Sequence, residues 1–139
     1  MSRRYTRESA MRTLFQIEVG KNNPEDALGY LRNKMENKVS QQDMEYLEDI
    51  INITMDNQDK IDEIIDLHTE NWSIERLSKV DLSILRLALA ELLYVEDIPY
   101  KVSINEAVEL AKKYSTHESP SYVNGVLDKA FKSLQGDKK

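Results

Sequence analysis

No cysteine occurs in the 139 residues, which excludes disulfides, thiolate zinc sites and iron–sulfur ligation. Glycine and proline are scarce as well, at four and three residues, so few breakers interrupt a chain rich in Leu, Ile, Glu, Lys and Ala. Such a composition favours helices over a sheet and predicts an all-α fold. No window approaches the ~20 continuous apolar residues that span a bilayer. The Arg-rich start also lacks the apolar stretch of a signal peptide, so a cytoplasmic setting is expected.

Catalytic chemistry finds little to work with. There is no thiol and no serine in a nucleophile elbow. The histidines, His68 and His117, are far apart and have no partner at metal-ligand spacing. The four glycines form no phosphate cradle, and Asp56-Asn57-Gln58-Asp59 lacks the turn Gly and distal Glu of a calcium loop. The chain therefore reads as a protein that is not an enzyme and needs neither metal nor cofactor.

What is present is one domain's worth of apolar residues, 40% of the chain, and an uneven charge. The net charge is −6, yet residues 1–12 hold four Arg against one Glu, which makes them +3 and leaves −9 for the rest. An acidic body with a basic end is the result. Acidic pairs such as Asp62/Asp66 and Glu106/Glu109 read as solvated helix faces.

Helical spacing divides the chain into about seven segments. Ala10, Met11, Leu14 and Phe15 predict a helix over Thr6 to Val19, stopped at Gly20. Asn23-Pro24 opens a second helix carrying Leu28, Leu31 and Met35, and Ser40 with Asp43 caps a third carrying Leu47, Ile50 and Ile51. A fourth bears Ile61, Ile64, Ile65 and His68 and ends near Glu70-Asn71. A short turn capped by Ser73 follows Trp72. From Val80 a run that is apolar on almost every side predicts a buried central helix, ending at Asp97-Ile98-Pro99. Ser103 and Glu106 have the spacing of a capping box for a sixth helix. After a polar loop over Ser115 to Ser121, Ser119-Pro120 opens the last helix, and both chain ends, 1–4 and 136–139, are expected to fray.

Among candidate binding residues, Arg3, Arg4 and Arg7 fall three or four apart, so a helix starting near residue 3 groups their guanidinium forks. Grouped forks suit phosphates, although a merely solubilising terminus has the same composition. Arg12, one turn beyond Glu8, is expected to pair with it, while Tyr5 and Tyr122 offer surfaces for stacking an unpaired base. Gly125 interrupts a regular helix at a cost of ~1 kcal/mol, which points to close helix–helix approach ahead of a ligand role. Its neighbour Asn124 could bond a backbone or RNA.

The stretch Val102-Ser103-Ile104-Asn105-Glu106-Ala107-Val108-Glu109-Leu110-Ala111-Lys112-Lys113-Tyr114, followed by Ser121-Tyr122-Val123-Asn124-Gly125-Val126-Leu127-Asp128-Lys129, resembles the C-terminal signature of the NusB family of bacterial antitermination factors. The likeness extends through Leu77-Ser78-Lys79-Val80-Asp81-Leu82-Ser83-Ile84-Leu85-Arg86-Leu87-Ala88 and back to Arg7-Glu8-Ser9-Ala10-Met11-Arg12-Thr13-Leu14-Phe15-Gln16. Between about Gly20 and Glu70 only the helical pattern matches.

The resemblance implies two packed three-helix bundles forming one domain. It also implies binding of boxA-type single-stranded RNA together with the ribosomal protein NusE, and loading of the pair onto elongating RNA polymerase with other Nus factors, chiefly on ribosomal RNA operons. By motif position it assigns RNA contact to Arg3, Arg4 and Arg7 and to Glu118 just before the Tyr122-Val123-Asn124-Gly125 motif, and the stacking and hydrogen-bonding capacity of Tyr122 and Asn124 adds those two to the expected RNA site. The partner-facing positions fall at Phe15 and Asp81, with Glu75 and Arg76 close by. For Phe15, core packing and interface are equally open readings, and Asp81 would also serve the dipole at a helix start. The basic start is short, and Ser119-Pro120-Ser121 stands where the family often has a basic residue, which predicts weak RNA binding without the partner. Two alternatives remain beside this reading. One is a helical appendage of an rRNA cytosine methyltransferase, for whose α/β domain 139 residues leave no room. The other is a protein–protein adaptor that never touches RNA. Monomer and homodimer are both compatible with the residues.

Overall fold

A computed structural model describes the backbone of residues 3–69 and 74–137. Seven α-helices and one 3-10 turn account for its regular structure, and no strand occurs among the described residues: α1 (Arg3–Gly20), α2 (Pro24–Met35), α3 (Gln41–Asp56), α4 (Gln58–His68), a turn over Ile74–Arg76, α5 (Lys79–Tyr94), α6 (Tyr100–Tyr114) and α7 (Ser119–Asp137). Trp72, Ser73 and the expected helix end at Glu70-Asn71 lie outside the described residues. No described helix is long and apolar enough to cross a membrane.

Local chemistry explains most boundaries. Asn23 Oδ1 accepts from Glu25 N at 2.8 Å with Pro24 in the first turn, and Ser40 and Ser78 hydroxyls accept from Asp43 N and Asp81 N, both at 3.0 Å. These bonds satisfy backbone donors that a helix start otherwise leaves unpaired. The C-terminal turn of α4 is closed by His68, whose Nδ1 lies 2.8 Å from the Ile64 carbonyl oxygen.

Helices α1, α2 and α3 pack as one bundle and α5, α6 and α7 as another, with α4 against α5 and α7. The seam is α5, which touches α1, α3, α4, α6 and α7 and is buried without a break from Leu82 to Glu91. One continuous core results, running from Ala10 and Leu14 through Leu47, Ile51 and Ile65 to Leu85, Leu89, Leu127 and Ala130.

Five expectations need correction. Helix α1 begins at Arg3 rather than Thr6, because Arg3 and Arg4 are held by carboxylates on α3 and α6. Helix α5 stops at Tyr94, three residues before the expected end, as Val95 turns extended with φ −116° and ψ 103°. The Ser103/Glu106 capping box does not form. Pro99 is the residue before α6, with no side-chain cap, which puts Ser103 inside the helix, where its buried hydroxyl donates to Glu91 Oε1 at 2.8 Å. The polar loop is shorter than Ser115 to Ser121, since α7 already starts at Ser119. Finally, Gly125 marks no close packing, as a Cβ built there meets nothing within 4 Å.

Candidate nucleic-acid and partner interface

The three N-terminal arginines share a helix but not an environment. Arg3 Nε donates to Asp43 Oδ1 at 2.9 Å while its guanidinium lies 4.2 Å from the Tyr46 ring centroid. Arg4 forms a fork on Glu106, with Nη2 to Oε2 at 2.8 Å, and stays exposed at 62%. Arg7 is 5% exposed and donates twice to Glu91, from Nε at 2.9 Å and Nη2 at 3.3 Å. Its Nη1 also lies 3.5 Å from Glu106. The expected grouping of three solvent-facing forks thus becomes two partly exposed guanidinium groups and one interior one. Arg12 is not paired with Glu8, which is taken by Lys113; it stays exposed with no acidic partner among the described residues.

Glu91 is the centre of a knot that sequence reasoning missed. Besides the Arg7 fork it accepts from Ser103 and from the Tyr46 hydroxyl, so that α1, α3, α5 and α6 converge on one carboxylate. Burial, and then the Glu91 charge, push the Tyr46 hydroxyl far above its ordinary range, so Tyr46 is the proton donor of that pair. A second knot joins α1, α4 and α5: Arg86 forks onto Asp62 with two bonds of 2.8 Å and reaches Glu18 at 2.6 Å. Arg86 lowers the Glu18 carboxyl to about 2. Asp62 and Glu106, expected to be merely solvated, are structural ion-pair partners. The signal was available, since a single Glu or Arg inside a run that is apolar all round must bring its counter-charge with it.

The remaining RNA candidates cluster where α5 begins and α7 begins. Asp81 is half-buried and accepts from Ser115 Oγ at 2.6 Å and Ser119 Oγ at 2.9 Å, which ties the α6–α7 connection to the start of α5. Beside it lies a cleft of about 180 Å³ lined by Arg76, Leu77, Asp81, Glu118 and Tyr122. Glu118 and Asn124 are exposed. Tyr122 is half-buried, and its hydroxyl is buried without a hydrogen-bond partner among the described residues. Burial, then the Asp81 charge, raise that hydroxyl above its ordinary value, so it remains a proton donor. Tyr5, by contrast, packs on the core and donates to Met35 Sδ at 3.7 Å, which withdraws it from base stacking.

Of the partner candidates, Glu75 and Arg76 are exposed on the 3-10 turn, and Phe15 is half-buried on α1. Thus Arg76, Asp81, Glu118 and Tyr122 share one cleft, whereas Arg3, Arg4 and Arg7 sit on the α1 end held by α3, α5 and α6.

No group of three or more metal-ligating side chains assembles among the described residues. Fold and surface together define an all-helical binding module built on charged knots. The NusB family model matches residues 4–132, and the chain belongs to that family. It is 46% identical over 142 residues to the transcription antitermination protein NusB of Natranaerobius thermophilus, covering 96% of this chain and 97% of that one. For the Clostridium botulinum (strain Kyoto) protein of the same name the identity is 48%, covering 93% and 99%. Among solved structures, T. maritima NusB superposes with a TM-score of 0.86 at 37% identity, covering 95% of this chain and 92% of that one. A complex of antitermination factors NusB and NusE with dsRNA gives 0.84 at 27% identity, covering 96% and 99%. The curated relatives are transcription antitermination proteins by name.

Proposed function

We propose that the chain acts in transcription antitermination in the cytoplasm, binding boxA-type single-stranded RNA jointly with a NusE-type ribosomal protein and delivering both to the elongating polymerase. The observation that carries this reading is the match along 96% of the chain to a NusB in complex with NusE and dsRNA. Arg3 and Arg4 serve as phosphate contacts. The two guanidinium groups are themselves 39% and 62% exposed, although Asp43 and Glu106 beneath them are largely covered, so each keeps a solvent-facing edge that can donate to phosphate. Tyr122 supplies a ring and an unsatisfied hydroxyl, Asn124 an exposed amide, and Glu118 an acceptor that excludes misplaced phosphates. Arg7 acts through position, because a guanidinium forked onto buried Glu91 orients α1 instead of meeting solvent. Phe15, Glu75, Arg76 and Asp81 form the protein-facing side.

Binding of a boxA-type RNA and a scrambled control, at two salt concentrations and with and without the ribosomal partner, tests the proposal. Selective binding that tightens with the partner is expected. Arg3→Gln/Arg4→Gln should flatten the slope of log K against log salt by about 1.4, the share of two single-strand phosphate contacts. Arg7 is left intact in that variant, since its loss would disturb folding. Absence of RNA binding even with the partner present would overturn the proposal in favour of a helical adaptor.

A further inference from the structure

The groove between α1 and α2 is lined by cations and polar groups without a carboxylate, unlike the larger cleft between α1 and α6. It is lined by Ser9, Arg12, Thr13 and Gln16 from α1 and by Tyr30 and Lys34 from α2, with Tyr5 and Met35 closing one end, and no carboxylate lines it. In the larger cleft between α1 and α6 the cations are matched by acids: Arg4 and Arg7 meet Glu106, Lys112 meets Glu109 and Lys113 meets Glu8. Arg12 and Lys34 have no such match among the described residues, and both are exposed. A chain of net charge −6 that keeps two cations unpaired in one acid-free groove holds a local positive potential there.

Tyr30 is 66% exposed, one of the most exposed large apolar side chains described. It stands one helical turn before Lys34 on α2, so a ring and an ammonium are neighbours. The ring offers a stacking face, Arg12 and Lys34 offer phosphate contacts, and Gln16 is an exposed side-chain amide beside them. An aromatic platform beside unpaired cations is the combination that holds single-stranded nucleic acid. An acidic protein segment would use the cations but leave the exposed ring without a purpose.

We infer that the α1–α2 groove is a second contact for single-stranded RNA, holding nucleotides outside the segment bound at Arg3, Arg4 and Tyr122. Ser9, Arg12, Thr13 and Gln16 lie roughly a third of a turn round α1 from the face of Arg4 and Glu8, so an RNA strand leaving that face meets the groove by continuing round the helix. The inference rests on the RNA-binding reading above, and it extends the footprint to a surface where that reading assigns nothing.

The test compares a boxA-type RNA, bare and extended by an unstructured uridine tract at either end, bound to the full chain with the ribosomal partner present. Arg12→Gln/Lys34→Gln should flatten the salt slope for the extended RNA by about 1.4, and Tyr30→Ala should weaken it about fivefold or more. The bare RNA should be unaffected by either change. Lys60→Gln/Lys101→Gln, which removes two exposed charges elsewhere, serves as the control and should leave the extended RNA within twofold. All of these side chains reach solvent, so unchanged far-UV circular dichroism is expected. Unaltered binding of the extended RNA by the groove variants overturns the inference while the proposed function stands. Loss of partner binding with RNA affinity retained also overturns it and gives the groove to a protein. No RNA binding by the unmodified protein sinks both readings together.

Discussion

Two carboxylates on α5, Glu91 and Asp81, organise opposite ends of that helix, and their surroundings differ in completeness. Around Glu91 the donors Arg7, Tyr46 and Ser103 all find an acceptor, and three neighbouring helices are fixed against α5. At Asp81 two serine hydroxyls are satisfied, yet the adjacent Tyr122 hydroxyl is buried without a partner among the described residues, and Glu118 and Asn124 face outward. A closed polar network specifies helix register, since any shift strands a charge in the core. An open one leaves a donor unsatisfied, which costs stability in proportion to its burial. The same chemistry therefore builds the frame at one end of α5 and leaves an open polar corner at the other, where the proposed RNA contacts gather.

The comparison breaks most visibly if the frame is not what it appears from its bonds. Glu91→Ala leaves Arg7 charged and buried and strands Tyr46 and Ser103, so a loss of about 3–5 kcal/mol in denaturant unfolding is expected. A loss under about 1 kcal/mol would mean that water replaces the carboxylate and the knot does not set register. The second knot gives a pH signature. Glu18 is lowered from an ordinary 4.5 to about 2, so its contribution is complete above pH 4.5 and is lost as the carboxyl protonates on the way down to about 2. Arg86→Met should make the stability profile flatter across that acid window, with urea midpoints as the readout.

How much of this could be read from the chain depends on the range of the interaction. Helix identity came from spacing within one or two turns, and Asn23, Ser40 and Ser78 act on backbone two or three residues away, so those starts are visible in sequence. The seven-helix architecture and the family signature around Tyr122 to Gly125 were legible for the same reason. Ser103 and Glu106 had the local spacing of a cap and were misread, because their true partners, Glu91 and Arg4, lie 12 and 102 residues away. The fate of Arg7 was set by a residue 84 positions distant. Charge-pair geometry is tertiary, and grouping on a helical wheel cannot distinguish a guanidinium that faces phosphate from one that faces a buried glutamate.

A smaller effect is expected at the open end. In Asp81→Ala, Ser115 and Ser119 lose their acceptor near solvent, where water compensates in part, so about 1–2 kcal/mol should be lost. Asp81→Asn keeps an acceptor oxygen and should restore most of that stability. If Asn also restores affinity for the ribosomal partner, Asp81 matters through the corner it ties together; if affinity stays low with stability regained, the partner reads its charge.

The mildest change separates structure from recognition most cleanly. Because a Cβ at Gly125 touches nothing within 4 Å and the residue sits inside α7, Gly125→Ala should stabilise the protein by about 0.5–1 kcal/mol through helix propensity alone. Packing therefore gives no reason for glycine at that position. Thermal unfolding and RNA binding measured on the same variant then answer different questions. A more stable protein with weaker RNA binding would mean that the bare backbone beside Asn124 is where the nucleotide comes close, which is what an open corner predicts. A more stable protein with unchanged binding would confine the recognition surface to Tyr122, Asn124 and the residues around Asp81.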